Sequence, residues 1–367
     1  MNENDITALL TLKNIRGVGN ILIKRLVEKF GSPEKIFSST VSELKTVDGM
    51  TQNKIYDIKN TNSPDFIKEE LKIAADEGIK IIPLSSRRYP VLLQEIADPP
   101  PVLYMKGNLP EDIVSIAVVG SRKAAREGMA AAAQLGRKLS ESGIRVTSGL
   151  ALGIDGAAHS GAIGYPGSTT AVLGSGLLKI YPREHRYLFK KISREGAVVS
   201  EFPLMTPPDR YNFPARNRII SGLSLGVVVV EAAERSGAII TAKSAADQGK
   251  DVFVFNLHGK NSAGVNNLIE LGAKEISGIK EILFEYPWLN KKASITHNNK
   301  KELDFNEELV VKALKHAEFP LHIDEINKAC KELEIKEITV ILIAMELKGI
   351  LGKLPGQYYY LLSEGKN

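Results

Sequence analysis

One cysteine, Cys330, stands alone in 367 residues, so a disulfide within the chain is excluded and a structural zinc site is hard to build. The six histidines fall in no metal-ligand spacing, and neither a metal nor another cofactor is expected. Long hydrophobic runs are missing as well. The longest, around Leu225–Val230 and Ile338–Met345, are far below the ~20 residues that cross a bilayer. The opening stretch, MNENDITALL, has no basic leader and no long apolar segment, so no secretory signal is expected. A cytoplasmic protein without membrane contact is the expectation. Disorder is excluded in turn by 43% hydrophobic and 25% charged residues.

Charge of one sign is scarce overall, at a net +5, but it is unevenly placed. Residues 1–80 carry 12 basic against 12 acidic side chains, and residues 290–367 again 12 against 12. Residues 110–280 carry 21 against 15, so the positive excess sits in the middle of the chain. A concentrated positive field suits a polyanion or a phosphate ligand. A solvated basic surface has the same composition.

Three zones follow from the pattern. Residues 1–80 alternate helical periodicity with glycine turns. In Leu12–Gly31 a Gly17-Val18-Gly19 turn precedes an amphipathic helix carrying Ile21, Leu22, Leu26 and Phe30. A similar unit at Leu44–Ile58 turns at Asp48-Gly49-Met50. The pair resembles tandem helix-hairpin-helix (SAM-like) modules, whose turn amides bind backbone phosphate. Electrical neutrality favours a packing role for this zone over DNA contact. Residues 81–288 alternate short β-branched runs with helical stretches, the signature of βαβ units and a parallel sheet. Strands are expected at 113–119, 145–148, 169–173, 198–200, 225–231 and 251–256. A polar linker at 289–302 leads to a third zone, 303–367, with three helices and a two-strand hairpin turning at Pro355-Gly356. That arrangement resembles a winged helix, although its third helix, KEITVILIAMELKG, is mostly apolar.

In the central zone each strand runs into a small-residue turn, so several turns share the rim of the sheet where α/β proteins bind ligands. The dinucleotide fingerprint fails there: the chain reads GSRKAA at 120–125 and GSGLLK at 174–179, with Lys179 in the place of a third glycine. No Walker A loop occurs. What does occur is Gly120-Ser121-Arg122 before a helix, offering a hydroxyl, a guanidinium fork and a helix dipole to a phosphate. Phe213-Pro214-Ala215-Arg216-Asn217-Arg218 places one aromatic and two arginines before another apolar helix. Arginine with an accessible ring suits single-stranded nucleic acid. A core Phe213 with Arg218 in a salt bridge fits the same residues.

Further blocks join these two: SGLALGID at 148–155, VLGSGLLKIYP at 172–182, SEFP at 200–203, FPARNRIISGLS at 213–224 and VVVEAAERSGAIITAKSAADQGKDVFVF at 228–255. In this order they resemble the DNA-processing protein A family (DprA, also called Smf). Leu152 stands where the family often has arginine, and Asn256-Leu257-His258-Gly259 where it usually has Val-Pro-Gly. The resemblance implies a Rossmann-like, mostly parallel sheet in a homodimer formed through the central domain. It implies binding of single-stranded DNA, protection of incoming strands in natural transformation, and loading of the RecA recombinase, with the single-strand-binding protein as a further partner and no catalysis. Carried onto this sequence, it gives Gly120, Ser121, Arg122, Gly149, Gly153, Gly174, Phe213, Arg216, Asn217 and Gly237 as nucleic-acid contacts. Asp155, Lys179, Arg218, Glu231 and Thr241 support them, the carboxylates by holding donors or backbone amides in place. His159 is expected to be structural. The competing class is an enzyme, a nucleoside-monophosphate-processing hydrolase on a related sheet, with Glu231 and the helix start at Ser236–Ala242 as its candidate site.

Overall fold

The structure, a computed structural model, describes residues 3–110, 114–257, 261–289 and 304–361, apart from 316, 318, 319, 348, 349 and 355. The chain divides into two compact units, Met1–Ser277 and Gly278–Asn367. The polar linker expected at 289–302 lies, beyond Leu289, outside the described residues, as do Ile113 and half of the Asn256–Gly259 departure.

The first unit is built on strands β1 (Lys80–Pro83), β2 (Val102–Gly107), β3 (Ser115–Val119), β4 (Arg145–Ser148), β5 (Thr169–Val172), β6 (Ala197–Ser200), β7 (Gly226–Val229), β8 (Asp251–Phe255) and β9 (Lys274–Ile276). They form one nine-stranded sheet in the order β1-β2-β6-β5-β4-β3-β7-β8-β9. From β6 to β9 every pairing is parallel, while β2 runs antiparallel to both β6 and β1. Ile116–Val119 and Val227–Val229 are buried along their whole length. That is how a strand reads when helices cover both sheet faces. The antiparallel edge, which the sequence pattern does not announce, follows a proline-rich stretch around Pro99-Pro100-Pro101. Edge strands tolerate such residues because half of their backbone groups need no partner.

Six short helices open the unit: α1 (Glu3–Asn14), α2 (Asn20–Phe30), α3 (Pro33–Ser38), α4 (Val41–Lys45), α5 (Gln52–Asn60) and α6 (Asp65–Asp76). Both expected hairpins form, α1–α2 around Gly17 and α4–α5 around Gly49, each glycine at positive φ. Their apolar faces share one core with the sheet: Leu9, Leu12, Ile23 and Leu26 belong to the cluster that holds Tyr104, Leu173 and Val198. Cations seal the joint. Lys13 donates to the Glu201 carbonyl at 2.7 Å and Lys24 to the Ile96 carbonyl at 2.9 Å. Arg25 and Lys54 both cover the second turn, donating to the Asp48 and Gly49 carbonyls.

Next come α7 (Val91–Gln94), α8 (Arg126–Glu141), α9 (Ile154–Ala162), α10 (Arg186–Glu195), α11 (Asn212–Gly222), α12 (Gly237–Asp247) and α13 (Ala263–Glu270). β3 lies between β4 and β7, so the chain winds away from it in both directions. The loops after β3 and β7 therefore part at a topological switch point, which opens a crevice at the carboxyl ends of the strands.

The second unit contains α14 (Ile279–Glu285), α15 (Phe305–Lys315), α16 (Ile323–Ala329) and α17 (Ile335–Leu347). A small antiparallel sheet of β10 (Leu321–His322), β11 (Leu351–Leu354) and β12 (Tyr358–Leu361) runs β10-β12-β11. Ile323, Ile326, Cys330 and Leu333, expected at core spacing, pack with Ile338, Leu342 and Met345. The far side of α17 leaves Val340 and Ile343 exposed.

Candidate nucleic-acid interface

Three loops meet at the crevice. The first, Gly120–Ala125 after β3, is tied to the switch-point strand β7 by Glu231. Its carbonyl accepts from the Ser121 N–H at 2.6 Å, and its carboxylate from the Ala125 N–H at 3.0 Å. Glu231 thus sits on the amide at the start of α8, where a carboxylate complements the helix dipole. Arg122 is left exposed at the turn.

The second loop, Gly149–Gly153 after β4, is held at almost every peptide group. Asp155 accepts from the Gly149 and Ala151 N–H groups at 3.1 and 3.4 Å. Arg216 donates to the Gly149 carbonyl at 2.8 Å and to the Val172 carbonyl, and His185 Nδ1 donates to the Leu150 carbonyl at 2.9 Å. These contacts fix Leu150 at φ 57°, a left-handed conformation that a branched side chain adopts only when its surroundings impose it. Gly153 closes the loop at φ 77°, and its α-carbon faces the Ser121 carbonyl, which leaves no room for a Cβ. Burial is the main influence on both charges beneath the loop. It raises the Asp155 carboxyl above the usual range against the pull of Arg216, and it pushes Arg216 down to about 10.

The third loop, Gly174–Pro182, brings an aromatic pair to the rim. Phe213, at the start of α11, lies 5.6 Å from Tyr181, and the Arg122 guanidinium sits 5.2 Å from the Phe213 centroid. Gly174 makes this seat, since a Cβ there would come within 2.6 Å of the Phe213 ring. Phe213 is half-buried and Tyr181 is 44% exposed. Beside them the start of α12 is open: Asn217 donates to the Gly237 carbonyl at 3.0 Å, as does Thr241 at 3.1 Å. A Cβ on Gly237 would meet only Asn217 at 3.8 Å, so the chain itself does not demand glycine there. Cation, tilted ring pair and a helix start without a side-chain cap together suit a phosphate followed by a base.

The structure gives the residues singled out from the sequence different places. Ser121, Arg122, Gly153, Phe213 and Gly237 reach the rim, and Lys179 is exposed close by in the chain. Gly149, Gly174 and Asn217 are buried and Gly120 is half-buried. Arg216 is buried, so its guanidinium serves the Gly149 and Val172 carbonyls and offers no surface contact. Arg218 pairs with Asp98 at 2.8 Å and Glu201 at 2.7 Å, which neutralises its charge inside the chain. Asp155, Glu231 and Thr241 act on backbone groups. Two residues at this rim are absent from the sequence reading, Tyr181 and His185. The block VLGSGLLKIYP includes Tyr181, yet only its 5.6 Å approach to Phe213 marks it out.

His159 lies buried under the same loops. Its Nδ1 is 2.7 Å from Thr169 Oγ1, whose only proton goes to the Val146 carbonyl at 2.6 Å. Nδ1 therefore carries the N–H, and Nε2 is a bare acceptor without a partner among the described residues. Burial first, then the charges of His185 and Arg216, push its pKa down to about 3. An unfolded histidine titrates near 6.5, so between these values the unfolded chain binds the extra proton and stability falls as pH drops. Urea titrations should lose about 2–3 kcal/mol from this source between pH 7 and 4.5. His159→Asn should lose correspondingly less over the same interval; equal losses in both proteins would refute the assignment.

Comparison with known proteins gives this geometry its context. The model of the DNA recombination-mediator protein A family matches residues 80–287. The chain belongs to that family. Among relatives of the family, the DNA processing protein DprA of Bacillus subtilis is 37% identical over 281 residues, covering 74% of this chain and 94% of that protein. Protein Smf of Escherichia coli is 38% identical over 295 residues, 77% of each chain. The X-ray structure of DprA from Streptococcus pneumoniae superimposes with a TM-score of 0.59 at 30% identity, over 78% of this chain and 98% of that one. The Helicobacter pylori DNA processing protein A, described for its single-stranded DNA binding mode, gives 0.52 at 27% identity over 57% of this chain and 95% of that one. Among the described residues, no helix is long and apolar enough to cross a membrane.

Proposed function

We propose that this chain binds single-stranded DNA along the crevice at the carboxyl rim of its sheet and loads the RecA recombinase onto that strand, acting as a homodimer through the central domain. The observation that carries the proposal is the Arg122–Phe213–Tyr181 cluster beside the open start of α12. One strand then lays a phosphate on the Gly120–Arg122 turn and a base on the rings, without reading sequence. Protection of incoming strands and transfer from the single-strand-binding protein follow from the same grip. The C-terminal unit, read as a winged helix, is proposed for regulation or protein contact, since its third helix is apolar. A role without catalysis is part of the same proposal. Glu231, the carboxylate a nucleoside-monophosphate hydrolase would need, is committed to the Ala125 amide.

The test is strand affinity across a salt titration on the purified protein. Phe213→Ala should lose about 1–3 kcal/mol of binding, and Tyr181→Ala a part of that. Arg122→Ala should weaken all sequences alike and flatten the slope of log K against log salt by about 0.7. The wild type should speed RecA filament formation on strands coated by the single-strand-binding protein, with no nucleotide turnover and no free base released from nucleoside monophosphates. Unchanged affinity in both Arg122→Ala and Phe213→Ala would sink the assignment of the rim.

A further inference from the structure

At the opposite, amino-terminal edge of the sheet lies a cavity of about 80 Å³ lined by Arg88, Leu109, Ser115, Arg145, Thr147 and Thr170 among others. Arg145, the first residue of β4, is 4% exposed, and its guanidinium is poorly served. Nη1 reaches three neutral oxygens, the Asn108 and Thr169 carbonyls at 3.4 Å and Thr170 Oγ1 at 3.3 Å. Nε has no hydrogen-bond partner, and no carboxylate among the described residues pairs with the group. Other buried cations of this unit have acids close by: Arg218 has Asp98 and Glu201, and Arg216 has Asp155. Burying a lone guanidinium costs several kcal/mol unless a counter-charge arrives.

We propose that this cavity is a binding site for a small oxyanion of the phosphate class, free or as a monoester, held by Arg145. The free edge of a guanidinium matches two oxygens of such a group. Arg88, exposed and lining the same cavity, supplies a second positive charge for a dianion. The volume admits one tetrahedral group and no base or sugar, so an ester's remainder has to lie outside. Thr147 and Ser115 are already bonded to each other at 3.0 Å, which leaves the arginines as the recognising groups. Burial depresses Arg145 to about 10, still charged at neutral pH, so the cation waits for its partner across the physiological range. The site is separate from the crevice, because Ser115, Arg145 and Thr170 place it toward the starts of β3, β4 and β5, whereas the crevice loops follow their ends.

The experiment is thermal unfolding of the full chain in chloride and in phosphate at equal ionic strength. At ten times its Kd, phosphate shifts the folding equilibrium about eleven-fold and should raise the midpoint by about 3 °C. Arg145→Met should abolish that rise and be more stable than wild type in chloride, as expected when a lone buried charge is replaced by apolar volume. Arg88→Gln, at the exposed mouth, should weaken phosphate several-fold without a folding defect. Arg122→Ala should keep the full rise, which separates the cavity from the DNA rim. An equal rise with glycerol 3-phosphate assigns a monoester, and a rise with inorganic phosphate alone assigns the free anion. A midpoint indifferent to phosphate, or a rise that survives Arg145→Met, overturns the site. Glu111 and Asp112 follow the lining residue Pro110 in the chain, and a Glu111→Gln/Asp112→Asn variant that loses stability in chloride only while Arg145 is present also overturns the site, since the counter-charge is then internal.

Discussion

Arg216→Met should cost about 3–5 kcal/mol of folding stability, since it leaves the buried Asp155 charge without its neighbouring cation and two buried carbonyls without their donor. Arg216 and Asp155 act on the same residue from two sides: the guanidinium takes the Gly149 carbonyl and the carboxylate takes the Gly149 N–H. Without the cation, Asp155 stays buried, its pKa already raised, and the Gly149 and Val172 carbonyls lose a donor. Against a total of about 5–15 kcal/mol, the loss leaves the variant marginal. A urea midpoint equal to wild type would show that the pair is not coupled through this loop. The double variant Arg216→Met/Asp155→Asn should recover about 1–3 kcal/mol relative to the sum of the single losses, because the introduced amide keeps an acceptor without a buried charge. Removing Arg216 should also weaken DNA binding, but only through the position of the loop, so stability and affinity should fall together.

The second large effect is expected at Gly153. Its φ of 77° with ψ of −124° is a conformation that L side chains rarely adopt, and an added Cβ points at the Ser121 carbonyl and at the Arg122 carbonyl carbon, 3.0 Å away. Gly153→Ala must therefore push the phosphate turn outward as well as impose about 1–3 kcal/mol of backbone strain. Strand affinity should fall at least ten-fold, about the worth of one base stack or phosphate contact. Gly143→Ala is the matched control. It has φ 78° but nothing within 4 Å of its Cβ, so it carries backbone strain with no clash. Gly143→Ala should lose about 1 kcal/mol of stability and no affinity. If both variants bind alike, the turn tolerates displacement and the Ser121–Arg122 contact is not part of the grip.

The alternation of strands and helices, and the small-residue turns that end several strands at one rim, were legible in the sequence. Runs such as Ser115–Val119 and Gly226–Val229 end in glycine or small-residue turns, and period and turn chemistry are local properties. The 145–148 strand is read to the residue, because Gly143 and Gly149 bracket it. Short edge elements were less legible: β9 is three residues long, two of them exposed, and gives no period to detect. The direction in which each charge points emerged only from long-range packing. In FPARNR the three side chains Phe213, Arg216 and Arg218 share one short stretch, yet the first faces the rim, the second is buried and the third is ion-paired. Their fates depend on Arg122, on Gly149 sixty-seven residues away, and on Asp98 and Glu201. A cation's environment is set by whichever chain segment packs over it, and segments that pack together need not be neighbours in sequence.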